Sequence, residues 1–439
     1  VCMSVTGDSS FYTGKVCLAP MVRAGRTPLR VLSLEYGADL VYTEEIVDQK
    51  LLACTRNENV ALGTIDYRIE EDVVLRIAPP EKGKVVLQIG TSSGEAAAQI
   101  AAMVGTDVAA IDVNMGCPKP FSIHGGMGAA LLTQPDRVKE ILSSLVTTAS
   151  VPVSCKIRLL DDPADTLKLV QTIERTGVAA LGVHGRQRDE RPQHANREAE
   201  IREVVRTVGI PIIANGGSSE IATHADIEAF RERTGASSVM VARKALTCPS
   251  IFRKEGTFPM VTEIEHFLEK ACEWDENYTM TKYVVQRMLG SEQEHDPRGK
   301  ATVLGGSLLE ICRAWSMEST YQKYRQARGG RQVTKDEATG VEMLDVTFPL
   351  KLLRAHSGSN TPKGVLNDLC DEKGSPRPAY ESRQRQDKKF ESVITVFDRR
   401  FLSRIGQTNK KMAEQVAALA ALIALDERSR LKGEWEELC

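Results

Sequence analysis

Short apolar runs recur along the first part of the chain, each followed by a stretch whose apolar positions fall three and four apart. The runs begin at Lys15 (KVCLAPM), Ala38 (ADLVYTE), Lys84 (KVVLQIG), Asp107 (DVAAIDVN), Val151 (VPVSCKIR), Val178 (VAALGVHG), Ile210 (IPIIANGG) and Ser237 (SSVMVAR). Strands that are apolar throughout are buried on both faces, as in parallel sheets covered by helices. Eight such units across residues 12–251 predict an α/β fold, a (β/α)8 TIM barrel. The loop after the second run is long, and residues 59–76 are expected to add local structure there.

Beyond the barrel the pattern changes. Residues 252–328 read as a helical domain, with ENYTMTKY inside it. GGRQVTKDEATG, from Gly329, is polar and Gly-rich, and residues 329–346 read as a flexible linker. Pro362 to Cys370 has helical spacing, Lys389 to Phe397 reads as a strand, and Asn409 to Leu425 is a helix with a polar cap. The Ala-rich end of that helix, Val416–Leu425, falls short of the roughly 18 apolar residues that span a membrane, so no membrane insertion is expected.

Composition changes this picture in one place. The 439-residue chain carries a net charge of −2, which excludes a uniformly basic surface. Between Lys351 and Lys411, however, 14 Lys or Arg face 7 Asp or Glu, a local balance of +7. A basic module on a near-neutral chain is the footprint of nucleic-acid binding. The ten cysteines include no CxxC pair, so no metal or iron–sulfur site is indicated. VCMSVTGDSSF has no basic and apolar leader pattern, so a reducing, cytoplasmic setting is expected, with a nuclear fraction compatible.

In such barrels chemistry sits at the C-terminal ends of the strands. Here those ends carry Pro20 and Met21, Thr43-Glu44-Glu45, Gln88, Asn114 with Cys117, Lys156 with Arg158, His184, Asn215-Gly216-Gly217, and Ala242-Arg243. Each has a structural reading alone; together they point to an active site. Asn215, Gly216 and Gly217 expose backbone N–H groups, and Arg243 follows Ala242 one strand later. That pairing fits a phosphate site in the loops after strands seven and eight. Lys156, His184 and Gln88 suit a flavin ring: a cation near N1 and O2, with an imidazole and an amide at the pyrimidine edge. No GxGxxG fingerprint follows a strand, which argues against a tightly bound nicotinamide. In DVNMGCPKPFSIHGGMGAAL, from Asp112, Cys117 lies just past a strand end and is held extended by Pro118. It is the candidate for proton handling at the barrel mouth.

LAPM (from Leu18), NMGCP (from Asn114), GGMGAALL, CKIR, VHGR, ANGG and VAR, in that order, resemble the tRNA-dihydrouridine synthases. The α-β-β-β-α order with a Lys-Lys pair opening the last helix resembles a double-stranded RNA-binding domain, over residues 347–426 with an N-terminal extension. The combination is similar to the eukaryotic branch that modifies uridine 20 in the tRNA D-loop. The resemblance implies a tightly bound FMN, reduced by dissociable NADPH, and hydride transfer to uracil C6. It adds Pro20, Met21, Val22 and Ala242 to the cofactor contacts. It makes Cys117, protonated near neutral pH, the general acid for C5. The uridine must leave its stack to reach the flavin. Asn114, Arg158 and Arg186 are the expected contacts to the base or its phosphate, and Lys363, Lys410 and Lys411 those to tRNA. A monomer is expected. The loop QRQDKK (Gln384–Lys389) departs from the Gly-Pro-His-like stretch usual in such domains, and Lys351, Arg354 and His356 are candidates to compensate. Two other readings fit parts of the chain: an FMN reductase of a free pyrimidine, and a non-catalytic double-stranded RNA-binding regulator.

Overall fold

All eight apolar runs form strands. The structure, a computed structural model, describes residues 9–70, 72–191, 193–328, 333–344, 346–348, 350–355, 360–432 and 435. The chain divides into two compact units, one reaching to His295 and the other starting at Asp296, so the division falls inside the 252–328 helical stretch.

In the first unit the strands are β1 (Val16–Leu18), β2 (Leu40–Tyr42), β3 (Ile46–Val47), β4 (Thr55–Asn59), β5 (Thr64–Ile69), β6 (Asp72–Ile77), β7 (Val85–Gly90), β8 (Ala110–Met115), β9 (Val153–Leu159), β10 (Ala180–Gln187), β11 (Ile212–Asn215) and β12 (Ser238–Val241). The parallel order β2-β1-β12-β11-β10-β9-β8-β7 closes through a β2–β7 pairing, and β3 extends the sheet beside β7. The barrel interior is filled by Tyr12, Cys17, Leu40, Tyr42, Val86, Ala110, Ala180, Ile213 and Met240. Tyr12 enters from outside the barrel strands and donates from its hydroxyl to Ser154 Oγ (3.0 Å). The local structure expected after the second run is an antiparallel sheet, β4-β5-β6. It is tied to the barrel by Arg30, 2% exposed, whose guanidinium pairs with the fully buried Glu81 at 2.6 Å and also donates to the Arg76 carbonyl. Helices Met260–Glu273 and Tyr278–Leu289 complete this unit; Arg26 pairs with Glu276 (2.8 Å) and Lys270 with Glu35 (2.7 Å).

The second unit begins with helices Pro297–Leu304, Leu308–Ala314 and Glu318–Ala327. It continues with β13 (Thr334–Lys335), β14 (Val341–Leu344), helix Leu350–Ala355, helix Pro362–Glu372, β15 (Ala379–Gln384), β16 (Phe390–Val396), β17 (Arg399–Ser403) and helix Lys410–Ala424. The expected α-β-β-β-α order is present, with β15-β16-β17 antiparallel. The stretch expected to be a linker is structured where it is described: β13 and β14 form a hairpin, and β14 pairs in parallel with β17 to give a five-stranded sheet. Its polar tip disguised it. Asp336 accepts from the Ala338 and Thr339 N–H groups (3.0 and 2.8 Å) and Gly340 turns at φ +68°, while the few apolar residues, Val341 and Leu344, are 5% and 0% exposed. Leu344, Val346, Phe348 and Leu352 join Leu366, Ile394, Phe401, Val416 and Leu419 in one core, closed by Trp435 packed edge-on against Phe348. Residues 329–332 and His356 lie outside the described residues, as does the side chain of Lys351. Among the described residues no helix is long and apolar enough to cross a membrane.

Candidate active site

Strand register brings the barrel's polar residues together. Gln88 lies opposite Asp112, Asn114 opposite Lys156, His184 opposite Arg158 on one side and Asn215 on the other. Residues two apart on a strand share a face, so Asp112 with Asn114, Ser154 with Lys156 and Arg158, and His184 with Arg186 rise in layers toward the rim.

The lowest layer is a buried chain. Asp112, 1% exposed, accepts from Gln88 Nε2 (2.8 Å) and Ser154 Oγ (2.7 Å). Burial pushes its carboxyl up to about 6, against the pull of those two bonds and of Lys156. Gln88 Oε1 accepts in turn from Asn114 Nδ2 (3.0 Å), and Asn114 Oδ1 accepts from the Gly116 and Cys117 N–H groups (3.0 and 2.9 Å). Asn114 therefore braces the Cys117 loop, which leaves one amide hydrogen for a ligand. Gln88 is 1% exposed and bonded at both ends, so it orients this chain beneath the site.

Cys117 is partly buried in the turn that follows β8. Burial, then the nearby Glu45 carboxyl, pushes its thiol above its usual range. Its carbonyl accepts from the Ala129 N–H (3.0 Å), which folds the glycine loop back over it. Gly128, at φ +57°, is required there: a Cβ would stand 2.6 Å from the Cys117 carbonyl oxygen and 3.0 Å from its Cβ.

Lys156 is partly buried, and among the described residues nothing hydrogen-bonds or ion-pairs with its ammonium. Burial first, then Arg158, pulls that ammonium down to about 8. Gly182 leaves room for its stem, since a Cβ there would sit 3.1 Å from Lys156 Cγ. His184 is held neutral by burial first, and then by Lys156, Arg158, Arg186 and Arg243 around it. Arg186 Nη1 approaches His184 Nε2 at 3.2 Å. A guanidinium only donates, so this fixes Nε2 as acceptor and leaves Nδ1–H as donor.

Arg186 departs from its expected place. It is 1% exposed and donates to the Gly216 carbonyl (2.8 Å) and the His194 carbonyl (2.8 Å), so it stands behind the glycine turn and not on the open rim. Arg158 donates to the Gly116 and Gln187 carbonyls (2.9 and 3.0 Å), linking the Cys117 loop to β10. Asn215 Nδ2 donates to the Met240 carbonyl (2.9 Å). Gly216 turns at φ +120°, and a Cβ there would collide with Asn196 Oδ1 at 2.2 Å and approach His184 at 3.0 Å. Arg243 is exposed and follows Ala242 at the next strand end. Pro20 and Met21 are partly buried and Val22 is 48% exposed, on a turn closed by the Gly25 N–H to Met21 carbonyl bond (2.7 Å).

These residues fit a flavin phosphate ester by their own chemistry: an unpartnered lysine, a neutral imidazole donor, and a glycine turn beside an exposed arginine. The buried Asn196 amide, whose two polar atoms lack partners among the described residues, stands at the same turn. Sequence reasoning named the strand end that holds Glu45 but missed its place near Cys117, and missed Ser122 and Asn196; Ser122 lies in the five-residue helix Pro120–His124, too short to show a period, and Asn196 lies in a loop.

In the second unit Lys410 and Lys411 are exposed at the start of a helix capped by Asn409, whose side chain accepts from the Met412 N–H (2.9 Å). Lys363, by contrast, pairs with Glu414 (2.7 Å) and lies over the Tyr380 ring (4.2 Å). The QRQDKK loop is a tight turn, with the Arg385 N–H on the Lys389 carbonyl (2.7 Å) and Lys388 at φ +63°.

Fold and rim together define a (β/α)8-barrel enzyme that carries an RNA-binding domain. The dihydrouridine synthase (Dus) family model matches residues 17–303, and the chain belongs to that family. The double-stranded RNA binding motif model matches residues 362–425. A Schizosaccharomyces pombe tRNA-dihydrouridine(20) synthase [NAD(P)+] is 41% identical over 290 residues, covering 63% of this chain and 60% of that relative. The Saccharomyces cerevisiae protein of the same description is 39% identical over 302 residues, covering 63% of this chain and 78% of its own. A crystal structure of a tRNA-dihydrouridine(20) synthase dsRBD domain is 33% identical, covering 20% of this chain and 93% of that one, with a TM-score of 0.18.

Proposed function

We propose that the protein reduces the C5–C6 double bond of uridine to dihydrouridine in tRNA, at position 20 of the D-loop, using FMN and NADPH. The observation that carries this reading is the convergence at one end of the barrel of a protonated thiol, an unpartnered lysine and a glycine turn, in a family member that also holds an RNA-binding motif. Gly216, Gly217 and Arg243 would hold the FMN phosphate, and Lys156 and His184 Nδ1–H its ring. Bound there, FMN supplies hydride-transfer chemistry between the nicotinamide and the uracil. Lys156 carries positive charge beside a site that gains negative charge on reduction. Cys117, kept as a thiol, gives the proton to C5, and carbon protonation needs such a positioned donor. Asn114 and Arg158 hold the Cys117 loop from both sides. Lys410 and Lys411 present charge to phosphates at a helix N-terminus.

The test is reduction of unmodified tRNA by the purified protein with NADPH, with dihydrouridine mapped by position and free uracil as the parallel substrate. Dihydrouridine at position 20 is the expected outcome. Reduction of free uracil in preference to tRNA would favour a small-molecule reductase. A protein that takes up no flavin and binds duplex RNA would be a regulator.

A further inference from the structure

Two adjacent glutamates follow β2, and the fold treats them differently. Glu44 pairs with Arg26 (3.1 Å) and accepts from the Arg23 N–H (2.9 Å), so its charge is compensated. Glu45 is 9% exposed and ion-pairs with no Lys or Arg among the described residues. Its carboxyl accepts from Ser122 Oγ (3.3 Å), and Ser122 Oγ and the Cys117 Cβ both flank Gly128, which sets the carboxyl in the same cluster as the Cys117 thiol and lets it act on that thiol. The cluster is enclosed by glycines: a Cβ on Gly90 would stand 2.6 Å from Glu45 Oε1, and one on Gly128 2.6 Å from Ser122 Oγ. The other charges near the sulfur are Lys156 and Arg158 of β9, whose charged forms Cys117 favours; from its own loop the Lys119 backbone and Ser122 act on Cys117. A buried carboxyl without a counter-ion favours its neutral form, and burial raises that of Glu45.

We infer that Glu45 is the second member of a two-proton relay: as Cys117 protonates uracil C5, the Glu45 carboxyl protonates the Cys117 sulfur. The inference rests on the proposed reduction of uridine, in which the ring has accepted a hydride at C6 from the reduced cofactor. The bonds balance. The C5–H bond forms as S–H breaks; S–H reforms as O–H of Glu45 breaks. The charge of the enolate ends on the Glu45 carboxylate, and a solvent proton restores it. The gain is physical: a thiolate is a poorer resting place for charge than a carboxylate. Glu45 acts through Cys117 and is a positioning and relay residue, not one that touches the base. Ser122 orients the carboxyl.

Glu45→Gln keeps the size and shape of the side chain and removes its acidic proton. The experiment reduces the flavin with NADPH first, then follows dihydrouridine formation after mixing with unmodified tRNA, across pH and across H2O–D2O mixtures. The wild-type rate is expected to curve with deuterium fraction, as two moving protons require, and to fall as pH rises through the Glu45 titration, because the protonated carboxyl is the active form. Glu45→Gln is expected to reduce flavin normally, to slow the tRNA step roughly 10²-fold, at the low end for a positioned proton donor, and to give a linear deuterium dependence with that pH limb gone. Glu45→Asp, which still has a proton to give, is expected to retain the curvature and the limb. An unchanged rate in Glu45→Gln, or a slowed rate with curvature and limb intact, overturns the relay. A wild-type protein that forms no dihydrouridine overturns the uridine-reductase reading itself, which the wild-type arm shows separately from the variants.

Discussion

The barrel rim and the C-terminal module both collect positive charge, and they handle it in opposite ways. Behind the rim Arg186 is 1% exposed, and on it His184 is held neutral and Lys156 is pulled down to about 8 by burial and by Arg158. In the module, Lys363, Lys373, Arg377, Arg383, Arg385, Arg399 and Arg400 each pair with a carboxylate, while Lys410 and Lys411 stand exposed at a helix start. Specificity has different footing in the two places. Crowded, desolvated cations cost folding energy and respond steeply to a change in geometry or charge. Exposed lysines are screened by salt and act almost independently. The rim should therefore break at single residues, and the module should weaken by increments.

The largest break is expected at Cys117. Cys117→Ala should still take up flavin and still be reduced by NADPH. It should lose roughly 10²–10⁴-fold in dihydrouridine formation, the contribution of a positioned general acid. Stopped-flow reduction of the flavin and a separate tRNA half-reaction measure the two steps; a normal tRNA step would place the proton source elsewhere. Asn114→Ala comes next. It removes the acceptor for the Gly116 and Cys117 N–H groups and the donor to Gln88. Unpaired groups of this kind cost about 1–3 kcal/mol each, so the tRNA step should slow by roughly tenfold to a hundredfold while flavin content holds. Loss of flavin with an unimpaired tRNA step in the protein that keeps it would show that Asn114 serves the cofactor and not the loop.

What could be read from sequence follows the same divide. Barrel strands announce themselves, because a strand buried on both faces must be apolar along its length: KVVLQIG and VAALGVHG could hardly be anything else. The strand-end residues were legible for the same reason, since a polar group ending such a run lies at the rim. Arg186 was misplaced because sequence gives its strand but not its direction behind Gly216. The β13–β14 hairpin was hidden because only Val341 and Leu344 carry its packing, within a polar, Gly-rich stretch. Lys363 was legible as a cation, but its partner Glu414 lies 51 residues away on another helix, beyond any local pattern.

At Lys156 the contrast is testable through pH. Its folded value is lowered to about 8, so the ammonium is charged below that pH and neutral above it. Flavin-free protein should bind FMN more weakly as pH climbs through about 8, by at most about tenfold per pH unit for one linked proton. Lys156→Arg, whose guanidinium stays charged, should hold its affinity flat across the same range. Fluorescence titration of FMN at several pH values measures both, and a flat wild-type profile would remove Lys156 from the cofactor site.

The smallest effect is expected where charge is most exposed. Lys410 and Lys411 open a 15-residue helix whose first N–H groups already include one bond to the Asn409 cap, so phosphates can meet backbone donors and ammonium groups together. Lys410→Ala with Lys411→Ala removes two such charges without touching the module's core, because both side chains are exposed. Fold and flavin content should be unchanged. The slope of log affinity for tRNA against log salt should fall by roughly 0.9 for each phosphate that is no longer neutralised on duplex RNA, taking the B-DNA value as a guide. Turnover at saturating tRNA should fall much less than affinity, since counterion release acts on binding and not on proton or hydride transfer. A salt titration of tRNA affinity for the wild-type and double-variant proteins measures this directly. Equal slopes would mean that these lysines face no phosphate, and the paired cations, Lys363 first, would have to exchange their carboxylates for RNA.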